Sequence, residues 1–367
     1  MSEAPDVAGT ASAAAPPDTA RSRTRKVLSG VGSVVVVVVL FGFAMPRLTN
    51  ADYRQAWDRL LQLDASHLIW LNVASLWNIA SYWWMLMLTL PGMTWGQAMV
   101  VNNASTAVAN TVPGGGALGL GVTWRFLSSW GFSGEAISRH VLVVGLWNNF
   151  LKLGLPIVAV GILAFDGNPD PNLITAAVAG TVALAVSIGV VVALLSSESA
   201  ARAIGGFGER LVSSVLRLFR RPPVQGWAEG ASRFRDGTSE MVRHRAVPLS
   251  ITGVVDHLAL YMVLLLALRF VGVGADQVDW QLALAVFAAV RLASALPITP
   301  GGLGVVELGM VDLLSRLGTG SGDAHFASDV LAAVLIYRFV TYVTPILLGA
   351  ICSLYYLNTD RWRVEPA

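Results

Sequence analysis

The sequence predicts an all-α polytopic membrane bundle, with six full spans plus two broken, re-entrant helical hairpins arranged as an inverted repeat. Three observations point there. The chain is 54% hydrophobic and 13% charged, with a mean hydropathy of +0.62; a soluble globular chain carries about 25% charge. Several apolar stretches exceed the roughly 18 residues needed to cross a bilayer. Finally, two proline-glycine breaks interrupt apolar sequence at matching places, Val112-Pro113-Gly114-Gly115-Gly116 and Thr299-Pro300-Gly301-Gly302-Leu303-Gly304. Soluble proteins use such clusters as turns at the water surface. Here the flanks are too apolar for that, and paired breaks in the two halves of a membrane protein point to a transport site.

In chain order, residues 1–26 are rich in Ala, Pro, Ser and Thr and end in Arg21, Arg23, Arg25 and Lys26. They read as a disordered cytoplasmic tail. A cleaved signal peptide fits less well, because the basic cluster lies deep in the chain and the next apolar run is long enough to stay as a span. The six spans are Val27–Met45, His67–Leu90, Ile137–Phe165, Leu173–Leu195, Val247–Val271 and Val330–Leu357, each to within about 3 residues. The Val34–Val39 run would favour a strand in water, but a lone strand in lipid leaves its backbone unpaired, so helix wins.

Each half reads span, amphipathic link, span, hairpin, span. The first half, 27–165, holds the hairpin 97–130, with arms Gln97–Thr111 and Ala117–Trp130. The second half, 166–357, holds the link 198–245 and the hairpin 280–317, with arms Trp280–Leu296 and Leu303–Leu317. Residues 358–367 form a second cytoplasmic tail. The arms are about 21 to 26 Å long at 1.5 Å per residue, short of the ~30 Å hydrocarbon core, so re-entrant hairpins are favoured over full crossings. The first link, Arg47–Ser66, carries Trp57, Leu60, Leu61 and Leu63; the second carries Leu211, Val215, Leu218 and Phe219 at helical spacing. Such links can lie in the membrane interface.

Charge sets the orientation. The basic tail, the stretch Glu198–Arg245 with nine arginines against five acids, and Arg361 and Arg363 suit the cytoplasm. The loop Asp166–Asn172 and the loops holding Asp276, Asp279, Asp323 and Asp329 contain no Lys or Arg and suit the outside. Both termini are then cytoplasmic in a multi-pass protein of the plasma (inner) membrane. The first hairpin enters from the cytoplasm and the second from outside.

The second break carries the most chemistry. Pro297 and Pro300 disfavour helix around Ile298-Thr299. Gly301, Gly302 and Gly304 permit turn geometry and close approach. A helix starting near Leu303 then presents free N–H groups that can receive phosphate or carboxylate; the plain alternative is a tight turn with no ligand. Glu307 follows, and a carboxylate at membrane depth should face protein or a water-filled cavity. Arg291 on the opposing arm can pair with it, either as a headgroup or proton site or as an ion pair holding the hairpin shut.

Around the first break, Asn102, Asn103, Ser105, Thr106, Asn110 and Thr111 can satisfy freed backbone or line a polar path. Asn148, Asn149, Lys152, Asp256, His257 and Arg338 interrupt other spans. A cationic set of Arg125, Lys152, Arg291 and Arg338 suits an anionic lipid headgroup, against internal pairing with Glu307, Asp256 or Asp312. The candidate substrate-binding residues are therefore Asn110, Pro113, Gly114, Arg125, Lys152, Arg291, Pro300, Gly301, Gly302, Glu307 and Arg338. Asp256-His257 is a poor metal site, since no second His-rich helix accompanies it. The single cysteine, Cys352, can form neither an intrachain disulfide nor a Cys-based metal site. The glycine run is no nucleotide loop, because the only lysines are Lys26 and Lys152. No nucleophile elbow, HExxH or paired-Asp motif is present. No cofactor, metal or nucleic-acid partner is expected, and no enzymatic role.

Pro300-Gly301-Gly302-Leu303-Gly304-Val305-Val306-Glu307, after an Arg-bearing helix, resembles the signature of the flippase-like membrane family that includes the transmembrane region of lysylphosphatidylglycerol synthases. Asn110-Thr111-Val112-Pro113-Gly114-Gly115 and Tyr337-Arg338 are similar to its other blocks, and the likeness covers Val27 to about Leu357. Relatives often carry charged residues directly after the first Pro-Gly, where this chain has Gly116-Ala117-Leu118. The resemblance implies a lipid-translocating bundle. In the synthases a separate soluble domain attaches the amino acid; with about ten residues after the last span, aminoacyl transfer is not expected of this chain.

The expected function is a lipid flippase or transporter for an anionic phospholipid or a polyprenyl-phosphate-linked glycolipid. Its partners are membrane lipids, with a lipid-modifying enzyme as a candidate second partner. The alternatives are a membrane-embedded lipid transferase or its accessory subunit, with Asp256, His257 and Glu307 as acid–base groups, and a small-solute or ion carrier.

Overall fold

The computed structural model describes residues 52–111, 115–166, 170–218, 222–294 and 302–364. Among them all long regular elements are α-helices: α1 (Tyr53–Leu61), α2 (Ala65–Thr89), α3 (Trp95–Thr111), α4 (Gly115–Ser129), α5 (Gly134–Asp166), α6 (Pro171–Ser196), α7 (Glu198–Leu218), α8 (Trp227–Phe270), α9 (Trp280–Ala293), α10 (Val305–Leu317) and α11 (Ala324–Asn358). The chain is an all-α membrane bundle.

Four helices, α5, α6, α8 and α11, are long and apolar enough to cross a membrane. This departs from the six expected spans. Val27–Met45 lies outside the described residues. The expected span His67–Leu90 forms α2, whose 25 residues are long enough, but Asn72, Ser75, Asn78 and Ser81 dilute its apolarity below that of the other four.

A second departure concerns the expected link 198–245. Only α7 behaves as a separate amphipathic helix. From Trp227 the chain is already in α8, which runs 44 residues to Phe270 with Pro248 inside it. Proline is tolerated in a membrane helix when neighbours re-satisfy the freed groups. The group that Pro248 frees is the His244 carbonyl one turn earlier; one turn later, the Thr252 hydroxyl donates to the Pro248 carbonyl at 2.9 Å.

The short arms pair as the breaks require. α3 and α4 pack against each other, with 17 and 15 residues, and α9 and α10 do likewise, with 14 and 13. A Cβ on Gly119 would sit 2.8 Å from the Ser105 carbonyl oxygen, so α4 lies directly on the α3 backbone. Between helices in lipid, close packing of small residues replaces the hydrophobic effect as the source of association.

The helix α11 serves as a ruler for both pairs. The outer end of the α3/α4 pair sits at its C-terminal end: Ser129 Oγ and Tyr356 Oη are 2.9 Å apart, and Val364 N donates to Ser129 O at 3.0 Å. The outer end of the α9/α10 pair sits at its N-terminal end, where Gly318 and Gly320 abut the Phe326 ring. Phe326 to Tyr356 spans about 45 Å of helix. Both pairs point inward from these opposite ends. Glu307, near the inner end of α10, meets Arg338, and Asn103 and Ala107 of α3 pack on Gly349.

Two apolar cores match the two pairs. One gathers Leu264, Phe287, Met310 and Val334 of α8 to α11; the other gathers Leu86, Val101, Leu127 and Tyr356 around α3 and α4. The short α1 clips onto the N-terminal end of α11. Ser328 Oγ accepts from Asp52 N at 2.8 Å, and Arg59 forks onto Asp329 at 2.7 and 3.0 Å.

Candidate functional site

The inner ends of both helix pairs line one cavity of about 1060 Å³. Asn110, Gly115 and Gly116 come from the first pair, and Ser294 and Gly302 from the second. The volume lies at the upper end of the range for ligand sites. Three other long helices close the walls: α5 through His140, Asn148 and Lys152, α8 through Asp256, and α11 through Arg338 and Tyr342. The remaining wall is α2, through Asn78 and Tyr82.

Where the described chain resumes before α10, Gly302 and Gly304 have φ of +71° and +83°. Glycine adopts these values without a Cβ clash. The turn aims the start of α10 inward, and Glu307 closes it as a capping box: its Oε2 accepts from Gly304 N at 2.6 Å. Its Oε1 accepts from Arg338 Nε at 2.5 Å. Glu307 is 1% exposed, and Arg338 stacks on the Tyr342 ring with Cζ 4.2 Å from the centroid. A buried carboxylate needs such pairing to be tolerated.

This changes one expected contact. Arg291 was the expected partner of Glu307, and Arg338 takes that place. Two oxygens of Glu307 are already committed, and Arg338 approaches from α11, which packs on α10. Arg291 lies on the cavity wall instead, and its buried Nε has no hydrogen-bond partner among the described residues. Lys152 lines the same wall. Asp256 sits within electrostatic reach of both cations, while its Oδ1 accepts from Asn78 Nδ2 at 2.7 Å. The same amide donates to the Asp256 carbonyl at 2.9 Å. His257 turns back to its own helix, with Nδ1 3.0 Å from Gly253 O. Asp312 pairs with Arg316 at 2.6 Å, one turn away on α10.

Of the sequence-predicted residues, Asn110, Lys152, Arg291, Gly302 and Arg338 converge on the cavity, and Glu307 stands behind Arg338. Arg125 does not join them: it is exposed on α4 and absent from the lining, because its helix turns that face outward. Pro113, Gly114, Pro300 and Gly301 lie outside the described residues. Sequence reasoning passed over Asn78, Tyr82 and Tyr342. Asn78 offered a signal, as an amide in the middle of a membrane-length segment; the two tyrosines did not, since tyrosine is ordinary in such helices.

Chemically the arrangement is a cavity of mixed character, with charged and amide side chains set among apolar ones. Among the described residues it presents a closed ion pair and two cations without a salt bridge, together with amides from α2, α3 and α5. Phosphate and carboxylate are the groups such cations recognise. Among the described residues no cluster of three or more His, Cys, Asp or Glu is placed to hold a metal.

The family described as the lysylphosphatidylglycerol synthase TM region matches residues 30–349, and the chain belongs to that family. It is also similar to a UPF0104 membrane protein of Methanothermobacter thermautotrophicus, 32% identical over 127 residues. That match covers 34% of this chain and 34% of the relative, so the chain spans about a third of the length of the curated relative it matches. Family membership and the apolar helices identify a multi-pass membrane protein.

Proposed function

We propose that this protein is a carrier, not an enzyme, that moves a lipid with an anionic headgroup across the plasma (inner) membrane. The cargo class is a phospholipid or a polyprenyl-phosphate-linked glycolipid. The family name, which contains a phospholipid, supports a lipid role. The observation that carries the reading is the cavity, whose lining joins the inner ends of both helix pairs with Lys152 and Arg291. A site between two inward-pointing helix pairs is reachable in turn from each end if one pair rocks against the other. The pairs then act as re-entrant hairpins of an inverted repeat, with the basic C-terminal end of α11 in the cytoplasm.

The test is scrambling of a fluorescent phosphatidylglycerol in vesicles reconstituted with the purified chain, read by quenching from outside. Wild type should expose the inner-leaflet probe far faster than empty vesicles. Arg291→Ala should lower the rate at least about tenfold, the effect of losing roughly 1.4 kcal/mol of headgroup attraction. Rates equal to those of empty vesicles for wild type, or unchanged in Arg291→Ala, would remove the cavity from the mechanism.

A further inference from the structure

Neither broken segment contains a charged residue, so the charge of the cavity comes from the helices around it. Glu307 and Arg338 cancel as a closed pair. Three charges remain: Lys152 on α5, Arg291 on α9 and Asp256 on α8. The other titratable groups on the wall are Tyr82, His140, Tyr337 and Tyr342, and they count as neutral. Two cations less one carboxylate leave a formal charge of +1.

How Asp256 is held makes this count significant. Among the described residues it forms no salt bridge to either cation, and its ion-pair neighbour is His257, at 3.5 Å. A neutral amide, Asn78, donates to its carboxylate Oδ1 at 2.7 Å and to its backbone carbonyl at 2.9 Å. The carboxylate therefore stays in the wall when Lys152 and Arg291 turn their N–H donors to a ligand. A monoanionic headgroup neutralises the surplus. A second negative charge on the ligand meets the Asp256 carboxylate in the same cavity, and like charges repel. Specificity of this kind comes from a repulsive group built into the site.

We infer that Asp256 sets the charge class of the cargo, so that the cavity takes a phosphodiester monoanion and rejects a phosphomonoester dianion. This rests on the lipid-carrier reading above and narrows it.

The experiment measures binding of dioctanoyl phosphatidylglycerol and dioctanoyl phosphatidic acid to the purified full chain in detergent, near pH 8, where a phosphomonoester is a dianion because its second pKa is about 6. Wild type should prefer the phosphatidylglycerol by about tenfold or more. Asp256→Asn keeps an acceptor for Asn78 and raises the charge to +2, and the preference should invert. Lys152→Gln lowers the charge to zero and should weaken phosphatidylglycerol about tenfold. The double variant returns to +1 and should recover the wild-type preference, which a merely structural role for Asp256 would not produce. An unchanged ratio in folded Asp256→Asn overturns the inference while the carrier reading stands. Should that variant not fold, undiminished phosphatidylglycerol binding by Lys152→Gln overturns it. Failure of wild type to bind either lipid removes the carrier reading itself. If Asp256→Asn binds glycerol 3-phosphate as tightly as phosphatidic acid, the site belongs to a soluble phosphate, and the lipid assignment falls.

Discussion

The two helix pairs share a length and an inward aim, but they are built from different materials. The α9/α10 pair is core: Ala283 to Ala288 are all buried, as are Met310, Val311 and Leu314, and Glu307 ties the pair to α11. The α3/α4 pair is thinner. Leu118, Leu120 and Trp124 on α4 are exposed, and its inner end carries amides and hydroxyls without a charge. Its arms touch backbone to backbone, through Gly115 and Gly119. Across α9/α10 the corresponding contact, Gly309 on Val290, is with a side chain. One pair is anchored by an ion pair within a large apolar core, and the other is a close-packed polar wall. In an alternating carrier the anchored pair is the frame, and the polar wall is the part that can move against it.

The largest expected effect tests the anchor. Glu307→Gln leaves the Arg338 charge buried without its partner and should cost about 3–5 kcal/mol, the usual consequence of breaking a buried pair from one side. Thermal unfolding in detergent would read this. A double change to Glu307→Gln with Arg338→Met should recover much of the loss, since glutamine keeps an acceptor for the Gly304 cap, and no recovery would mean that the unpaired Arg338 charge is not the source of the loss.

Next comes the contrast in packing. Gly119→Ala places a methyl 2.8 Å from a carbonyl oxygen that cannot rotate away, and overpacking of this kind costs about 1–3 kcal/mol. Gly309→Ala meets only the Val290 methyls, the nearest at 3.2 Å, and should cost well under half as much. Equal losses in the two variants would erase the distinction between backbone and side-chain contact.

A smaller effect should come from Arg59→Ala, which releases α1 from Asp329 at the outer end of α11. The pair is partly exposed, at 38% and 14%, so about 1 kcal/mol is expected, and less at high salt. The smallest change in stability should be that of Arg291→Ala. With no salt bridge to lose among the described residues, the variant should unfold within about 0.5 kcal/mol of wild type, while the proposed transport should fall. A strongly destabilised Arg291→Ala would make that residue part of the frame.

The sequence revealed much of this architecture, for identifiable reasons. Long apolar runs gave α5, α6 and α11 directly, because bilayer thickness sets their length. The Pro-Gly clusters gave both short pairs, because those residues break helices in lipid as they do in water. What stayed hidden depends on contacts between distant segments. The partner of Glu307 lies 31 residues away on α11, so nothing in local spacing distinguishes Arg338 from Arg291. The outward turn of Arg125 follows from how α4 seats on α3, and that register is invisible in a pattern of single residues. The early start of α8 was masked by its charge: Trp227–Arg245 reads as a polar link, yet it is one helix with the span that follows.

The most direct test of the central claim is accessibility at the outer ends of the two pairs. Cys352 is the only cysteine, so a Cys352→Ala background is silent to thiol reagents. Ser128→Cys reports the outer end of α3/α4, and Ser321→Cys that of α9/α10; both positions are exposed. In sealed vesicles of uniform orientation, a membrane-impermeant maleimide should label one of them from outside only and the other only after the vesicles are opened. Labelling of both from the same side would contradict two helix pairs that reach the cavity from opposite faces of the membrane.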